Sequence, residues 1–281
     1  MPKEKIVIFG AGTMGHGIAS IFAANEYSVT IIDIDQKYLD NAKNKITKNL
    51  ERMASKGAVI GSVENALSRI AYSTDLKIAK DADIVIEAII ENLEEKKRLF
   101  KNLNEIVNRE AIIASNTSSI SLTQLGSFTD RPDKVVGMHF FNPVPVLKLV
   151  EVVKGLNTSE ETITKVTELA KSVGKTPVIV FDNPGFVANR ILMPFINEGI
   201  YALQENIATK ESIDSIAKLG FNMPMGPLEL ADLIGLDVCL DIMNVLYRDF
   251  GNQKYSPCPL LNKMVAAGKL GRKSGEGFYK Y

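Results

Sequence analysis

A glycine-rich turn near the N-terminus has the spacing of a phosphate-binding site. The segment Gly10-Ala11-Gly12-Thr13-Met14-Gly15 follows the apolar run 6–9 directly. In such a turn the first glycine permits a tight bend, the second lets the backbone approach a pyrophosphate, and the third lets a helix pack close to a strand. The N–H groups and partial positive charge at the start of that helix attract phosphate. The pattern predicts a dinucleotide site, and a glycine-rich turn without a ligand is the alternative.

Asp33 bears on which dinucleotide would bind. It ends the next predicted strand, 18 residues beyond Gly15. A carboxylate at this position can bind both hydroxyls of the adenosine ribose and repels a 2′-phosphate. Asp35 adds negative charge, and Lys37 is the one cation close by in the sequence. The sequence therefore favours NAD over NADP.

The chain contains two histidines, His16 and His139. His16 falls in the first turn of the phosphate-binding helix, where a residue near solvent or phosphate is expected. His139 falls at the end of a predicted strand, and strand ends form the ligand crevice of an open parallel sheet. Imidazole exchanges protons near neutral pH, so His139 can act as a general base for an alcohol. The alternative is a buried histidine that is hydrogen-bonded to backbone.

Glu151 is a candidate partner for His139. It follows His139 by 12 residues, enough for a strand end, a loop and a returning strand. It lies in the apolar run 147–153, where a carboxylate needs a partner. Beside His139, the carboxylate would orient the imidazole and stabilise the imidazolium. A solvent-facing glutamate on an edge strand is the alternative.

Alternating strand and helix patterns connect these residues. Short apolar runs typical of buried parallel strands occur at 6–9, 28–33, 84–88, 111–115, 135–139, 147–153 and 177–181. Helices are predicted at 14–24, 93–107 and 160–173. Residues 36–70 interrupt the alternation with two polar helices, 37–55 and 63–70, which could touch a ligand. We expect an α/β fold with a Rossmann-type, mostly parallel sheet and a helical-hairpin insertion.

The pattern changes near residue 183. Asn183 can cap a helix, and Pro184 suits the first helical position. No further strand is predicted, and helices that include 191–203 and 228–246 alternate with Pro/Gly turns. We expect an NAD-binding domain at 1–183 and an all-helical domain at 184–281.

The composition excludes several classes of protein. The 281 residues include 33 basic and 33 acidic side chains, so charge gives no case for binding nucleic acid or an anionic membrane. Two cysteines are too few for a disulfide framework. No signal peptide is recognisable, and no apolar stretch approaches the roughly 20 residues needed to span a bilayer. We expect a cytoplasmic protein without a metal site.

Eight motifs spread along the chain carry a family resemblance. They are residues 10–15, 87–92, 114–119, 138–145, 147–152, 184–190, 224–227 and 275–279. Among them are Ala114-Ser115-Asn116-Thr117-Ser118-Ser119 and Met138-His139-Phe140-Phe141-Asn142-Pro143. With these motifs the chain resembles the short-chain L-3-hydroxyacyl-CoA dehydrogenases, and among them the bacterial 3-hydroxybutyryl-CoA dehydrogenases.

The resemblance implies roles for individual residues. His139 would be the general acid and base, Glu151 would orient it, and Ser118 and Asn189 would hydrogen-bond the substrate and the reacting groups. Contacts with NAD are implied, besides the glycine turn, at Asp33, Glu91, Lys96, Asn116, Ser118, Asn142 and Lys273. Lys56 would contact CoA, and Asn49 stands where the family has a serine. From the residues alone, Ser118 could cap a helix, with or without a role in binding, and Lys56 could be a solvated charge.

The implied reaction is reversible hydride transfer between (S)-3-hydroxybutyryl-CoA and acetoacetyl-CoA, as in fatty-acid or butanoate metabolism. The resemblance also implies a homodimer formed through the helical domain, which could assemble further. One alternative is a related dehydrogenase acting on another substrate, such as a free 3-hydroxyacid. Another is a non-catalytic NAD-binding protein, since relatives have become structural lens proteins. The presence of both His139 and Glu151 disfavours the second alternative.

Overall fold

The computed structural model describes residues 3–281, which divide into two compact units. The first unit ends at Asp182, and the second is Asn183–Tyr281. This division falls beside the predicted boundary at residue 183. Each unit has its own cluster of buried apolar side chains.

The first unit is built on one eight-stranded sheet. Its strands are β1 (Lys5–Phe9), β2 (Ser28–Ile32), β3 (Ile70–Ser73), β4 (Ile84–Glu87), β5 (Ile112–Ser115), β6 (Val135–Phe140), β7 (Leu149–Lys154) and β8 (Thr176–Phe181). They lie in the order β3-β2-β1-β4-β5-β6-β7-β8. Every neighbouring pair is parallel except β6 and β7. The predicted Rossmann-type, mostly parallel sheet is confirmed.

Six α-helices accompany the sheet within the described part of the first unit. They are α1 (Thr13–Ala24), α2 (Gln36–Ala54), α3 (Val63–Leu67), α4 (Leu93–Ile106), α5 (Leu122–Gly126) and α6 (Glu160–Ser172). The insertion helix α2 is amphipathic, because its apolar side chains recur at helical spacing. These side chains are buried in the same cluster as α1, namely Leu39, Ala42, Ile46, Leu50 and Met53.

The end of the insertion differs from the prediction. A helix was expected over 63–70, but α3 ends at Leu67 and Ile70 begins β3. Ile70 pairs in parallel with Val29 of β2 and is buried in the core of the first unit. A four-residue edge strand is too short for its sequence to show strand periodicity, so pairing with β2 decides its conformation.

The second unit consists of α7 (Ala188–Gln204), α8 (Lys210–Gly220), α9 (Pro227–Ile234), α10 (Leu236–Phe250) and α11 (Pro259–Ala266). Its only β pairings within Asn183–Tyr281 are isolated bridges at Gly271↔Glu276 and Glu276↔Lys280. The helix expected over 228–246 is two helices, because Gly235 has φ of 108° and interrupts it. Only glycine adopts such a backbone readily.

Two further observations concern the whole described chain. Across residues 3–281, no helix has the length and apolarity that a bilayer span requires. Both cysteines, Cys239 and Cys258, are free and buried. Burial raises the pKa of the Cys239 thiol to about 12, so this thiol stays protonated near neutral pH.

Candidate active site

The polar residues singled out in the first unit gather at one edge of its sheet. The parallel strands β1, β4, β5 and β6 all end there, which is where open α/β sheets bind ligands. β1 leads into the glycine turn, β4 into Glu91, and β5 into Asn116 and Ser118. His139 is the next-to-last residue of β6. The topology therefore brings together residues that are far apart in sequence.

The glycine turn has the geometry that a dinucleotide requires. Gly10 has φ of 101°, and a Cβ added there would lie 2.3 Å from the carbonyl oxygen of Ala88. A Cβ at Gly15 would lie 1.8 Å from the carbonyl oxygen of Gly10. At Gly12, in contrast, an added Cβ meets nothing within 4 Å, so the turn is open on that side. Within residues 3–281, no side chain caps the N-terminus of α1, so its first N–H groups fit a pyrophosphate.

Asp33 is held beside this turn. Its Oδ2 accepts a hydrogen bond from the Ala11 backbone N–H at 2.7 Å, and its Oδ1 accepts one from the Ile34 N–H at 2.7 Å. The carboxylate is half-buried at the end of β2. Thr13 is exposed and Met14 half-buried in the first turn of α1. This fixed carboxylate fits a ribose with two free hydroxyls.

His139 and Glu151 form a buried pair. They lie directly opposite each other in the antiparallel ladder of β6 and β7. His139 Nδ1 and Glu151 Oε2 are 2.8 Å apart, and the two residues are 7% and 2% exposed. A carboxylate only accepts hydrogen bonds, so Nδ1 donates when Glu151 is ionised. The solvent-facing alternative for Glu151 is therefore wrong.

Neighbouring groups restrict the histidine further. The ring of Phe141 lies 4.6 Å from the His139 ring, centroid to centroid, at an interplanar angle of 50°. The next residue, Asn142, is exposed. The Phe140 backbone N–H donates to Asn116 Oδ1 at 2.9 Å, which ties the end of β6 to the segment after β5. His139 is thus held by its own strand, the facing strand and an aromatic side chain.

The four residues after β5, 116–119, form a turn organised by Glu91; we call it the β5 turn. One oxygen, Glu91 Oε1, lies within hydrogen-bond distance of five donors: Thr117 Oγ1 (2.6 Å), Ser118 N (2.9 Å), Ser119 Oγ (3.0 Å), Ser119 N (3.1 Å) and Ser118 Oγ (3.4 Å). Helix α5 is capped by Ser121, not by Ser118. The capping alternative for Ser118 is wrong, and Ser118 belongs to the turn.

Lys96 neutralises Glu91 from the other side. Its ammonium is 3.2 Å from Glu91 Oε2 and 2.5 Å from Glu87 Oε1, and its side chain is 1% exposed. Burial by itself would raise the pKa of Glu91. The Lys96 ammonium and the hydrogen bonds from the β5 turn have the larger combined effect, and they hold the pKa of this carboxyl below its usual value. Glu91 is therefore a fixed anion.

The two residues proposed for CoA lie on and beyond the insertion helix. Asn49 Nδ2 is 3.3 Å from His16 Nδ1 and donates to Ser20 Oγ at 3.2 Å, which links α2 to α1. Burial, aided by Lys45, lowers the pKa of His16, so this ring is neutral at pH 7. Lys56 follows the C-terminus of α2 and is exposed. An exposed ammonium is accessible to a phosphate group.

The remaining candidates belong to the helical unit. Asn189 lies in the first turn of α7 and is buried, and its backbone N–H donates to the carbonyl oxygen of Gly185 at 3.2 Å. Lys273 is exposed, and its ammonium lies 2.5 Å from Asp237. An ion pair so exposed to solvent contributes little to stability.

Two buried charged residues of the first unit were not predicted from the sequence. Glu87 ends β4, is fully buried, and binds Lys96. Lys175 is buried and donates to the carbonyl oxygens of Val144 and Leu147, the latter at 2.7 Å. Burial lowers the pKa of Lys175 to about 8. A charge in or at the end of an apolar strand was a usable signal for Glu87, as it was for Glu151, whereas nothing in the sequence marks Lys175.

This arrangement suits acid–base and hydride-transfer chemistry. Across residues 3–281, the structure has no group of three or more His, Cys, Asp or Glu side chains that could hold a metal ion. The glycine turn and Asp33 fit a dinucleotide, and the His139–Glu151 pair lies on the same unit, where it can move a proton. These features are those expected of a nucleotide-dependent dehydrogenase.

Two family models match nearly the whole chain. The model of the 3-hydroxyacyl-CoA dehydrogenase NAD binding domain matches residues 5–183, and that of the 3-hydroxyacyl-CoA dehydrogenase C-terminal domain matches residues 185–281. The two matches meet beside the division between the two units. The first match accords with the open glycine turn.

Individual relatives match this chain over most or all of their length. A probable 3-hydroxybutyryl-CoA dehydrogenase of Deinococcus radiodurans is 53% identical over 277 residues, which is 99% of this chain and 100% of that protein. The human mitochondrial hydroxyacyl-coenzyme A dehydrogenase is 43% identical over 99% of this chain and 91% of that protein. The crystal structure of (S)-3-hydroxybutyryl-CoA dehydrogenase from Ralstonia eutropha superposes on this one with a TM-score of 0.94, and the two sequences are 47% identical; the match covers 99% of each chain. The chain therefore belongs to the 3-hydroxyacyl-CoA dehydrogenase family, and its cofactor is NAD.

Proposed function

We propose that this enzyme interconverts (S)-3-hydroxybutyryl-CoA and acetoacetyl-CoA with NAD(H), and that His139 and Glu151 are its acid–base pair. The observation that carries the mechanism is the 2.8 Å contact between His139 Nδ1 and Glu151 Oε2. The substrate is proposed from the relatives named above, which include 3-hydroxybutyryl-CoA dehydrogenases at 53% and 47% identity.

His139 moves the proton. In oxidation its Nε2 takes the proton of the 3-hydroxyl group, and in reduction it returns a proton to the forming alkoxide. Glu151 holds the ring in the tautomer that makes this possible and stabilises the imidazolium. When held by the glycine turn and Asp33, NAD(H) would supply the hydride-transfer chemistry needed at C3 of the substrate. A positioned general acid or base typically contributes about 10²–10⁴-fold to the rate.

Other residues bind and orient. The N-terminus of α1 and Asp33 would hold the pyrophosphate and the adenosine ribose. Ser118, in the ordered β5 turn, and Asn189 would hydrogen-bond the substrate. The further NAD contacts are proposed at Glu91, Lys96, Asn116, Asn142 and Lys273. Asn49 and the exposed ammonium of Lys56 would contact the CoA moiety.

The test is an NADH-linked assay with acetoacetyl-CoA. Wild type is expected to oxidise NADH rapidly, and His139→Gln, which keeps a polar side chain opposite Glu151, is expected to lose about 10²–10⁴-fold in kcat. Its NADH Kd and melting temperature should stay close to wild type. Near-full activity of His139→Gln would falsify the acid–base assignment.

The same assay separates the rival functions. Turnover of free acetoacetate in preference to acetoacetyl-CoA would identify a dehydrogenase of free 3-hydroxyacids. NADH binding without turnover of any 3-oxoacyl substrate would identify a non-catalytic NAD-binding protein. The buried His139–Glu151 pair favours the enzyme, because burying an ionisable pair is costly and a structural protein has no need of it.

The enzyme is further proposed to be a homodimer formed through its helical unit. That unit exposes large apolar side chains on its helices and connections: Ile191 (67%), Ile207 (70%), Leu219 (87%) and Phe221 (65%). Such side chains mark an interaction surface where they form a contiguous patch, and a dimer formed through this unit would bury them. Light scattering of the purified protein tests this proposal, and a monomer mass at micromolar concentration would contradict it.

A further inference from the structure

Glu87 is a buried carboxylate to which the mechanism above gives no role. It is the last residue of β4 and is 0% exposed. Its Oε2 accepts from Ser115 Oγ at 2.5 Å, and its Oε1 accepts from Lys96 Nζ at 2.5 Å and from the Ile89 backbone N–H at 2.9 Å. A buried ion pair costs desolvation energy, and apolar residues of similar size are often as stable. Stability alone therefore does not account for a carboxylate here.

The contacts of Glu87 lead to the β5 turn by two routes. The first runs through Lys96, whose ammonium bridges Glu87 and Glu91. Glu91 in turn accepts the hydrogen bonds of residues 117–119. The second runs through Ser115, whose Oγ accepts from the Thr117 N–H at 3.1 Å. In addition, the Asn116 N–H donates to the backbone carbonyl of Glu87 at 2.8 Å.

Both routes hold groups that must be placed accurately. The β5 turn carries Ser118, and its Asn116 accepts from the backbone of Phe140, beside His139. A shift of about 1 Å in a positioned group can cost about 10²-fold in rate. Without the Glu87 carboxylate, the Lys96 ammonium would be drawn towards Glu91 alone, and Ser115 would lose its acceptor.

We propose that Glu87 is a positioning residue for hydride transfer, acting through Lys96 and Ser115 on the β5 turn without touching either reactant. This inference rests on the proposed function for its kinetic readout. In physical terms, the buried Glu87 carboxylate, which is not one of the reacting groups, fixes the positions of Ser118, Asn116 and Lys96.

The test compares Glu87→Gln with a matched buried carboxylate of the helical unit. Glu87→Gln keeps the size of the side chain but removes its charge and one acceptor. Asp214, which is 1% exposed, accepts from the Leu228 and Glu229 backbone N–H groups, and Asp214→Asn is the control. Both variants should melt below wild type. Only Glu87→Gln is expected to lose about 10–100-fold in kcat and to bind NADH about tenfold more weakly.

A second variant covers the case in which Glu87→Gln does not fold. Ser115→Ala removes one partner of Glu87 and little volume, and it is expected to lower kcat about 3–10-fold. Where all variants fold, the double variant should lose little more than Glu87→Gln, because both changes cut the same contact.

The outcomes separate this inference from the proposed function. If Glu87→Gln and Ser115→Ala have lower melting temperatures than wild type but keep kcat and the NADH Kd near the wild-type values, the role of Glu87 is structural and the inference is wrong. If wild type binds NADH but does not turn over acetoacetyl-CoA, the proposed function fails instead. The NADH Kd of Glu87→Gln then decides the inference alone, and an unchanged Kd overturns it.

Discussion

Replacing Glu151 by glutamine tests the acid–base pair most directly. The change keeps the shape of a side chain that is 2% exposed and lies opposite His139 in the β6–β7 ladder. It removes the negative charge that stabilises the imidazolium. It also allows an amide N–H to face Nδ1, which would place the ring proton on the wrong nitrogen.

The size of the effect follows from the geometry. The Nδ1–Oε2 distance is 2.8 Å, and the centres of the two delocalised charges are then roughly 4 Å apart. At an effective dielectric constant of about 20, this attraction is worth about 4 kcal/mol. Since about 1.4 kcal/mol corresponds to a factor of ten, losing it entirely lowers kcat by about 10³-fold. A remaining hydrogen bond from Nδ1–H to the amide oxygen reduces the expected loss to about 10²–10³-fold.

The assay is the loss of NADH absorbance with saturating acetoacetyl-CoA. Glu161→Gln removes a charge at an exposed position of α6 and serves as the control with unchanged kcat. NADH titration checks that the cofactor site is intact, and thermal melting checks that the protein is folded. A Glu151→Gln enzyme that is folded, binds NADH and retains kcat within about threefold of wild type would refute the reasoning.

Three further changes probe other parts of the site. Gly15→Ala should weaken NADH binding by about 10²-fold or more, because the added Cβ would lie 1.8 Å from the Gly10 carbonyl oxygen. Fluorescence titration measures the NADH Kd, and an unchanged Kd would contradict the role of the turn. Asp33→Ser should raise the ratio of kcat/KM for NADPH to that for NADH by about tenfold or more, since the repulsion of a 2′-phosphate is lost. Burial lowers the pKa of Lys175 from 10.5 to about 8, so the unfolded chain binds more protons between these values and stability rises with pH across that window. The free energy of unfolding of wild type should rise by at most about 3 kcal/mol over this window. Urea unfolding at about pH 8 and about pH 10 measures this rise, which the variant Lys175→Met should lack. An equal rise in the variant would contradict this account.

Much of the fold could be predicted because its signals are local. The glycine spacing, the short apolar runs and the helical spacing of Leu39, Ala42, Ile46, Leu50 and Met53 each occupy one stretch of chain. Two of these local patterns were misleading. The sequence predicts a helix at Ile70, yet this residue begins β3 and pairs with Val29 of β2, and Gly235 divides a helix that was expected to be continuous.

The candidate site was predictable in part. His139 and Glu151 were identified by residue type and by their positions in or beside apolar strands, and the sequence left open whether they meet. A one-residue slip between β6 and β7 would send Glu151 to the opposite face of the sheet. The observed register, His139 opposite Glu151, is a property of strand pairing that neither segment encodes alone.

The sequence by itself determined the cofactor turn, the carboxylate that favours NAD, the class of the fold and, through its motifs, the family. These depend on residues that are neighbours along the chain. Only the tertiary structure decided which polar groups touch: Glu151 with His139, Glu91 with the β5 turn, and Glu87 with Lys96 and Ser115. The reason is that parallel strands bring distant segments to one edge of the sheet, and burial there obliges each charge to find a partner that sequence distance does not reveal.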